Sequence, residues 1–292
     1  MRAPVLIASL LLASTVGAQG VPRAVYVDPP HDVKNPAHSV ILHVPSGGVR
    51  INALAMIAAG AGNHPTFLLL HGLPGNEKNQ DLAQAVRRAG WNAVIFNYRG
   101  SWGSPGEFRF DHTYEDAAAV LAYLREPENA RTLAIDTTRM VIGGHSMGGW
   151  ATAVTAAHDA RLRGAVLISA ADLGIKGTMS RSDAVAFMAD NMETLAGGTA
   201  ESFADELLSG AEHRRMTANA PGLVRMPLLV LTADDDLAPH SDSLVAAIRR
   251  LGGTRVTTMH MATDHSWSDR RVALESAVIR WLERLPQNER TR

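Results

Sequence analysis

Cysteine is absent from this 292-residue sequence. That excludes a disulfide framework, a thiolate metal site and a cysteine nucleophile. No sign of charge dominates either: 28 Lys and Arg stand against 29 Asp and Glu, a formal net charge of −1. A nucleic-acid partner, which ordinarily needs a basic face, is therefore not expected. The paired arginines at 87–88, 214–215, 249–250 and 270–271 sit in amphipathic patterns and read as solvated helix surface. There is no internal repeat, no low-complexity segment, no P-loop and no G-x-G-x-x-G after a strand-like run. His-Glu-x-x-His does not occur and the histidines are scattered, so neither a metal nor any other cofactor is expected.

What is present begins with an apolar N-terminus. "MRAPVLIASLLLASTVGAQG" has Arg2, an apolar run over 5–12, and small residues ending Val16-Gly17-Ala18. A basic start, a short apolar segment and small residues describe a secretory signal peptide over 1–18, cleaved near Ala18. The run is too short to span a bilayer permanently, so an exported protein, periplasmic or secreted, without stable membrane insertion is expected. The full chain is 46% hydrophobic, enough for one sizeable core.

Residues 19–36, rich in proline and polar residues, read as an extended lead-in. "SVILHVPSG" and "VRINALAMIAAG" then form two strand-like runs joined around Gly47-Gly48, a hairpin pattern. From there strands and helices alternate. The strand-like runs are "TFLLLHG", "WNAVIFNYRG", "RMVIGG", "GAVLISA", "MPLLVLTA" and "TRVTTMH". Between and after them lie "QDLAQAVRRAG", "TYEDAAAVLAYLRE", "GWATAVTAAH", "HSDSLVAAIRRLGG" and "DRRVALESAVIRWLERL", all with helical spacing. Alternation of this kind implies a mostly parallel sheet covered on both faces. It lapses over 172–223, where two helix-like pieces around 183–195 and 200–209 occur without an apolar strand. That lapse reads as a cap or lid inserted over one edge of the sheet.

The chemistry concentrates in "RMVIGGHSMGGWATAV". Ser146 lies between a strand pattern and a helix pattern, with Gly144 and Gly148 two residues away on either side, giving G-x-S-x-G. A serine on so sharp a turn needs glycine neighbours, because side chains there would clash with strand and helix. The helix start beyond it supplies backbone N–H groups and partial positive charge for a developing oxyanion. A serine hydroxyl is a poor nucleophile without a base to take its proton and an acid to orient that base. Both residue types follow at strand ends. "LLVLTADDDLAPH" places Asp234, Asp235 and Asp236 after one strand, and "TTMHMATDHSWSD" places His265 after the next.

The order Ser146, Asp, His265 is that of the α/β-hydrolases. The resemblance extends through "HGLPG" at 71–75, like the family's His-Gly loop, and "NYRGSWGSPG", like its arginine-glycine loop. With "GHSMGG", the acid loop and "DHS", five motifs stand in order, and the chain resembles esterase-like, dienelactone-hydrolase-like and acylaminoacyl-peptidase-like serine hydrolases. The resemblance implies an α/β-hydrolase fold, a mostly parallel sheet of about eight strands flanked by helices, occupying 37–292 with the cap at 172–223. It implies Ser146 as nucleophile and His265 as general base and acid. It also implies an oxyanion hole from the backbone N–H groups of Met147 and Leu73. The family often has its Asp four residues before a Pro, which selects Asp235 before Pro239. Counting from the strand end allows Asp236, and Asp234 is the third candidate. The function implied is cleavage of carboxylic esters of small molecules through an acyl-enzyme, with amide cleavage and a non-catalytic binding protein as alternatives.

Other residues have plainer readings. His145 adjoins Ser146 but diverges from it at such a turn and makes a poor base. His260 sits where a strand residue would still be in the sheet, His71 suits a structural place in its own loop, and Asp264 is expected at the surface. Trp102 is suited equally to lining the pocket and to packing its loop. The spacing of Phe187, Met188 and Met192, with Met179 nearby, fits core packing better than an acyl pocket.

Overall fold

The computed structural model describes residues 20–286, so the expected signal segment lies outside the described residues. The lead-in is not extended throughout. Residues Arg23–Tyr26 make one helical turn, α1, held because Arg88 donates to the carbonyls of Ala24 and Val25 (2.6 and 2.9 Å).

The hairpin follows as β1 (His38–Ser46) and β2 (Val49–Ile57), antiparallel, with Ser46 opposite Val49. Gly47 and Gly48 have φ of 53° and 84°. Two consecutive positive φ values make the tight turn that matches the twist of paired strands, and glycine adopts them without a Cβ clash. The alternating units are β3 (His64–Leu70), α2 (Gln80–Arg88), β4 (Asn92–Phe96), α3 (His112–Arg125), a short α4 (Pro127–Thr132), β5 (Ile135–His145), α5 (Met147–Ala157) and β6 (Ala165–Ile168). After the 172–223 stretch come β7 (Leu228–Ala233), a helix over Ala238–Arg250, β8 (Val256–Met261) and a closing helix over Arg271–Arg284.

The eight strands form one sheet in the order β1-β2-β4-β3-β5-β6-β7-β8. Only β2 runs against the others, as its antiparallel pairing with both β1 and β4 shows, while every pair from β4 to β8 is parallel. Parallel strands need crossover connections, which is why helices cover both faces and the central strands read as unbroken apolar runs. Alternate residues still diverge. Leu68, Leu70, Ile142, Leu167 and Val230 enter one core, against α3 and α5. Phe67, Leu69, Val141, Val166, Ile168 and Leu231 enter the other, against α2 and the closing helix. Each fully buried Leu or Ile contributes roughly 1.5–3 kcal/mol over an exposed one, so both layers are firmly held and the strand ends between them are fixed in place.

The 172–223 stretch carries α6 (Leu173–Lys176), α7 (Arg181–Ala189), α8 (Ala200–Ser209) and α9 (Ala220–Leu223); the later Ala238–Arg250 and Arg271–Arg284 helices are α10 and α11. One buried carboxylate, Asp172, organises its base. It caps α6 by accepting from the N–H of Gly174 and Ile175 (2.9 and 3.2 Å) and accepts the N–H of Met216 (3.0 Å). Met188 is wholly buried, and Met179, Phe187 and Met192 pack against the same core, so these side chains serve packing, as their spacing suggests. Among the described residues no helix is long and apolar enough to cross a membrane.

Candidate active site

Parallel strands deliver their carboxyl ends to one edge of the sheet, and the turns and loops that leave that edge carry Ser146, Asp235 and His265. β5 ends at His145 and α5 starts at Met147, leaving Ser146 alone to reverse the chain, with φ 57° and ψ −122°. A non-glycine residue so placed costs on the order of 1–3 kcal/mol and needs support from its surroundings. The support is visible: Ser146 N–H donates to Ile168 O (3.0 Å), and its carbonyl accepts from Gly149 N–H and Ala171 N–H (2.9 and 3.1 Å). The glycines are required by contact. A Cβ on Gly144 would collide with the Gly148 carbonyl, and one on Gly148 would come within 2.5 Å of Leu70 O.

His265 lies in the loop between β8 and α11. Its Nδ1 is 2.8 Å from Oδ2 of Asp235, whose side chain is 2% exposed. A carboxylate can only accept, so Nδ1–H donates and the Nε2 lone pair is left free on the half-exposed side of the ring. Burial opposes ionisation of Asp235, but hydrogen bonds from His265, from the Ser169 hydroxyl and from Leu237 N–H outweigh it and hold the carboxyl below its ordinary range. The neighbouring aspartates go elsewhere. Asp234 pairs at the surface with His260 Nε2 (2.9 Å), and Asp236 is exposed with φ 61°. Of the three candidates, Asp235 is the one brought to His265.

The loop after β3 closes the other side. Gly72 lies so near the turn that a Cβ there would sit 2.9 Å from Ser146 Cβ, and Leu73 is the next residue along this loop. Met147 opens α5, where the first N–H groups of a helix have no intrahelical acceptor. The loop is clamped through Pro74 O, which accepts from Trp102 Nε1 (2.7 Å) and Thr194 Oγ1 (3.0 Å). Trp102 thus ties its own loop to the loop after β3, and Lys78 Nζ stands 4.0 Å over its ring. His71 is buried and neutral, its pKa pushed down to about 4 by burial, with Nδ1–H donating to Gly72 O (2.8 Å). Arg99 is structural. It donates to Asp116 through Nε and the backbone N–H (2.6 and 2.8 Å), fixing the loop after β4.

Several supporting groups carry no motif. Trp267, wholly buried, donates its indole N–H to Ser169 Oγ (3.1 Å), and Ser169 helps hold the Asp235 carboxyl below its ordinary range. Arg271 donates to Ser266 O (2.9 Å), Asn79 Oδ1 (2.9 Å) and Asp81, tying the His265 loop to the start of α2. The tryptophan in "DHSW" is the only sequence hint of this layer; Ser169 comes from a distant segment, and Arg271, six residues beyond His265, belongs to no motif. Among the described residues no three His, Asp or Glu side chains converge in a way that could hold a metal ion.

A family model described as alpha/beta hydrolase fold matches residues 71–267, the larger part of the chain. An esterase from Pyrobaculum calidifontis superposes with a TM-score of 0.65 at 18% identity, covering 86% of this chain and 87% of that one. EstE1, a carboxylesterase from a metagenomic library, does so with 0.63 at 21%, covering 87% and 92%. The acylaminoacyl peptidase of Pyrococcus horikoshii gives 0.66 at 16%, covering 86% of this chain but 42% of that one. Quorum-quenching protein AidA of Acinetobacter baumannii is 35% identical over 104 residues, which span 34% of this chain and 33% of that protein. The sheet order, the serine on its turn and the family match over the segment that contains both place this chain in the α/β-hydrolase fold family.

Proposed function

We propose that the protein is a serine hydrolase that cleaves carboxylic esters of small molecules through an acyl-enzyme. The observation that carries the reading is the convergence, at one sheet edge, of a serine held at positive φ and a His265–Asp235 pair hydrogen-bonded at 2.8 Å. Ser146 Oγ attacks the ester carbonyl carbon while His265 Nε2 takes its proton. The Asp235 carboxylate holds the imidazole in the tautomer that can accept and steadies the imidazolium that forms. The N–H groups of Met147 and Leu73 receive the oxyanion, a donor pair of a kind worth about 3–4 kcal/mol each in such sites. The tetrahedral intermediate then collapses, the C–O bond to the leaving group breaks, and His265 returns the proton to the departing alkoxide. Water, deprotonated by His265, attacks the acyl-enzyme and releases the acid and Ser146. In this reading the 172–223 stretch acts as a cap that limits acyl length, and the chain works outside the cytoplasm after cleavage near Ala18, which N-terminal sequencing of the exported protein tests.

The experiment is hydrolysis of p-nitrophenyl esters of increasing acyl length by the wild type and by Ser146→Ala. The expected result is a rate lost by about three orders of magnitude or more in the variant, the scale on which removal of a triad member acts, with a length optimum set by the cap. Equal rates in the two proteins contradict the serine mechanism, and a wild type inert on every ester but reactive on amides contradicts the choice of bond.

A further inference from the structure

His145 occupies the first variable position of G-x-S-x-G, and its side chain is 4% exposed, turned inward from the end of β5. Its Nε2 lies 2.8 Å from the backbone carbonyl oxygen of His265. A carbonyl can only accept, so Nε2 carries the proton and His145 is the donor. The two imidazoles stack beside this bond, ring centres 4.5 Å apart and inclined by 43°. On its other side Nδ1 faces Gly72, where a Cβ would stand 3.5 Å away. One side chain therefore touches the His265 loop, adjoins Ser146 in the chain and abuts the loop that leads to Leu73.

We propose that His145 is a positioning residue: the hydrogen bond from its Nε2–H to His265 O sets the height of the His265 imidazole over the Ser146 turn. The inference rests on the serine-hydrolase reading of the site. It explains why a buried imidazole is tolerated next to a serine in strained backbone. Loops are the least fixed part of a sheet edge, and the span from β8 to α11 is long enough to let His265 drift. Arg271 ties that span at Ser266 O, one residue on, and Asp235 ties the ring at Nδ1. Neither fixes the backbone of His265 itself; His145 does. The donor has to be uncharged, because a second cation 4.5 Å from the ring would oppose the imidazolium that forms as Ser146 gives up its proton. Burial foremost, and then the nearby His265, push the pKa of His145 down to about 3, so the ring stays neutral while it donates.

The test compares His145→Gln, whose amide nitrogen falls where Nε2 lies, with His145→Asn, whose shorter amide does not reach, and with His145→Phe, which keeps a ring but no donor. Steady-state ester hydrolysis and fluorophosphonate labelling are measured on each, with thermal melts to verify folding. Loss of kcat by about 10- to 100-fold in the Asn and Phe variants is expected, the scale on which displacement of a catalytic group by about 1 Å acts. KM should stay within about threefold of wild type and the Gln variant within about fivefold in kcat, because the donor is restored. Unchanged kcat in the folded Asn variant overturns the proposal, as does a Gln variant as slow as the Asn variant, or a loss that appears in KM alone. The wild type's own labelling separates the two claims: a wild type labelled at Ser146 with kcat indifferent to His145 overturns this proposal only, whereas an unlabelled wild type overturns the serine-hydrolase reading on which it rests.

Discussion

At the scale of the residue, Ser146 and Asp235 divide two kinds of cost between them. The serine bears backbone strain, a φ of 57° that most side chains avoid, and is held there by hydrogen bonds from Gly149 and Ala171 to its carbonyl and from its own N–H to Ile168. Asp235 bears desolvation, and is held charged chiefly by two donors, His265 Nδ1–H and Leu237 N–H, with Ser169 lowering it further. Removing the charge while keeping the shape isolates the second. Asp235→Asn should lower kcat/KM for an ester by on the order of 10⁴, because an amide no longer enforces the tautomer with a free Nε2. Asp234→Asn and Asp236→Asn should each stay within about threefold of wild type, since surface substitutions away from the site act weakly. A large loss at Asp236 and none at Asp235 would reverse the assignment of the acid. The choice among three consecutive aspartates depends on which of them the turn after β7 points inward. The resemblance selects Asp235 by its spacing to Pro239, and Asp235 is the aspartate that lies 2.8 Å from His265 Nδ1.

At the scale of the element, α2 and α11 are joined by a carboxylate pair with an unequal share of a proton. Glu275 on α11 is 6% exposed and interacts with Asp81 on α2, which Arg271 grips from the same helix. Burial first, and then the charge of Asp81, raise the pKa of Glu275 to about 7, against the opposing pull of Arg271 and Arg88. Asp81 is lowered in turn: burial opposes its ionisation, but the bonds from Arg271 prevail. The unfolded chain releases the Glu275 proton near 4.5. Between pH 4.5 and about 7 the folded protein therefore binds more protons than the unfolded one, and the contribution of this group to stability falls as pH rises through that window. Glu275→Gln removes the titration while keeping a donor to Asp81. Its Tm should match the wild type near pH 5 and exceed it at pH 8, measured by thermal melts across the range; a Tm difference that does not vary with pH would contradict the pairing. Short elements were the least legible in the sequence. α1 and α4 are each under two turns, too brief for a helical period to show. α1 forms where an extended lead-in is expected, because Arg88, 64 residues beyond Ala24, supplies the acceptor-seeking cation that fixes it.

At the scale of the whole molecule, the alternation of apolar runs and helical periods was enough to indicate the sheet and its parallel centre, because burial on both faces imposes itself on every residue of β3, β6 and β7 and on the second half of β5. The order of the strands was not legible: β4 lies outside β3, and only pairing partners reveal it. The site was legible where chemistry and geometry coincide in one short segment, as in Ser146 with Gly144 and Gly148, or His265 in its loop. It was not legible where support crosses the fold. Ser169 reaches Asp235 from the end of β6, Trp267 reaches Ser169 from 98 residues away, and Thr194 reaches Pro74 across 120. Such contacts are properties of the packed sheet edge, and no local pattern encodes them.

The central claim is that Ser146 is a nucleophile activated by His265. Its most direct test is reaction of the folded protein with a fluorophosphonate, followed by proteolysis and mass spectrometry of the peptide that contains "GHSMGG". The account predicts a single adduct on Ser146, absent in Ser146→Ala and formed far more slowly in Asp235→Asn. An adduct on another residue, or none in a protein that melts cooperatively, would contradict it.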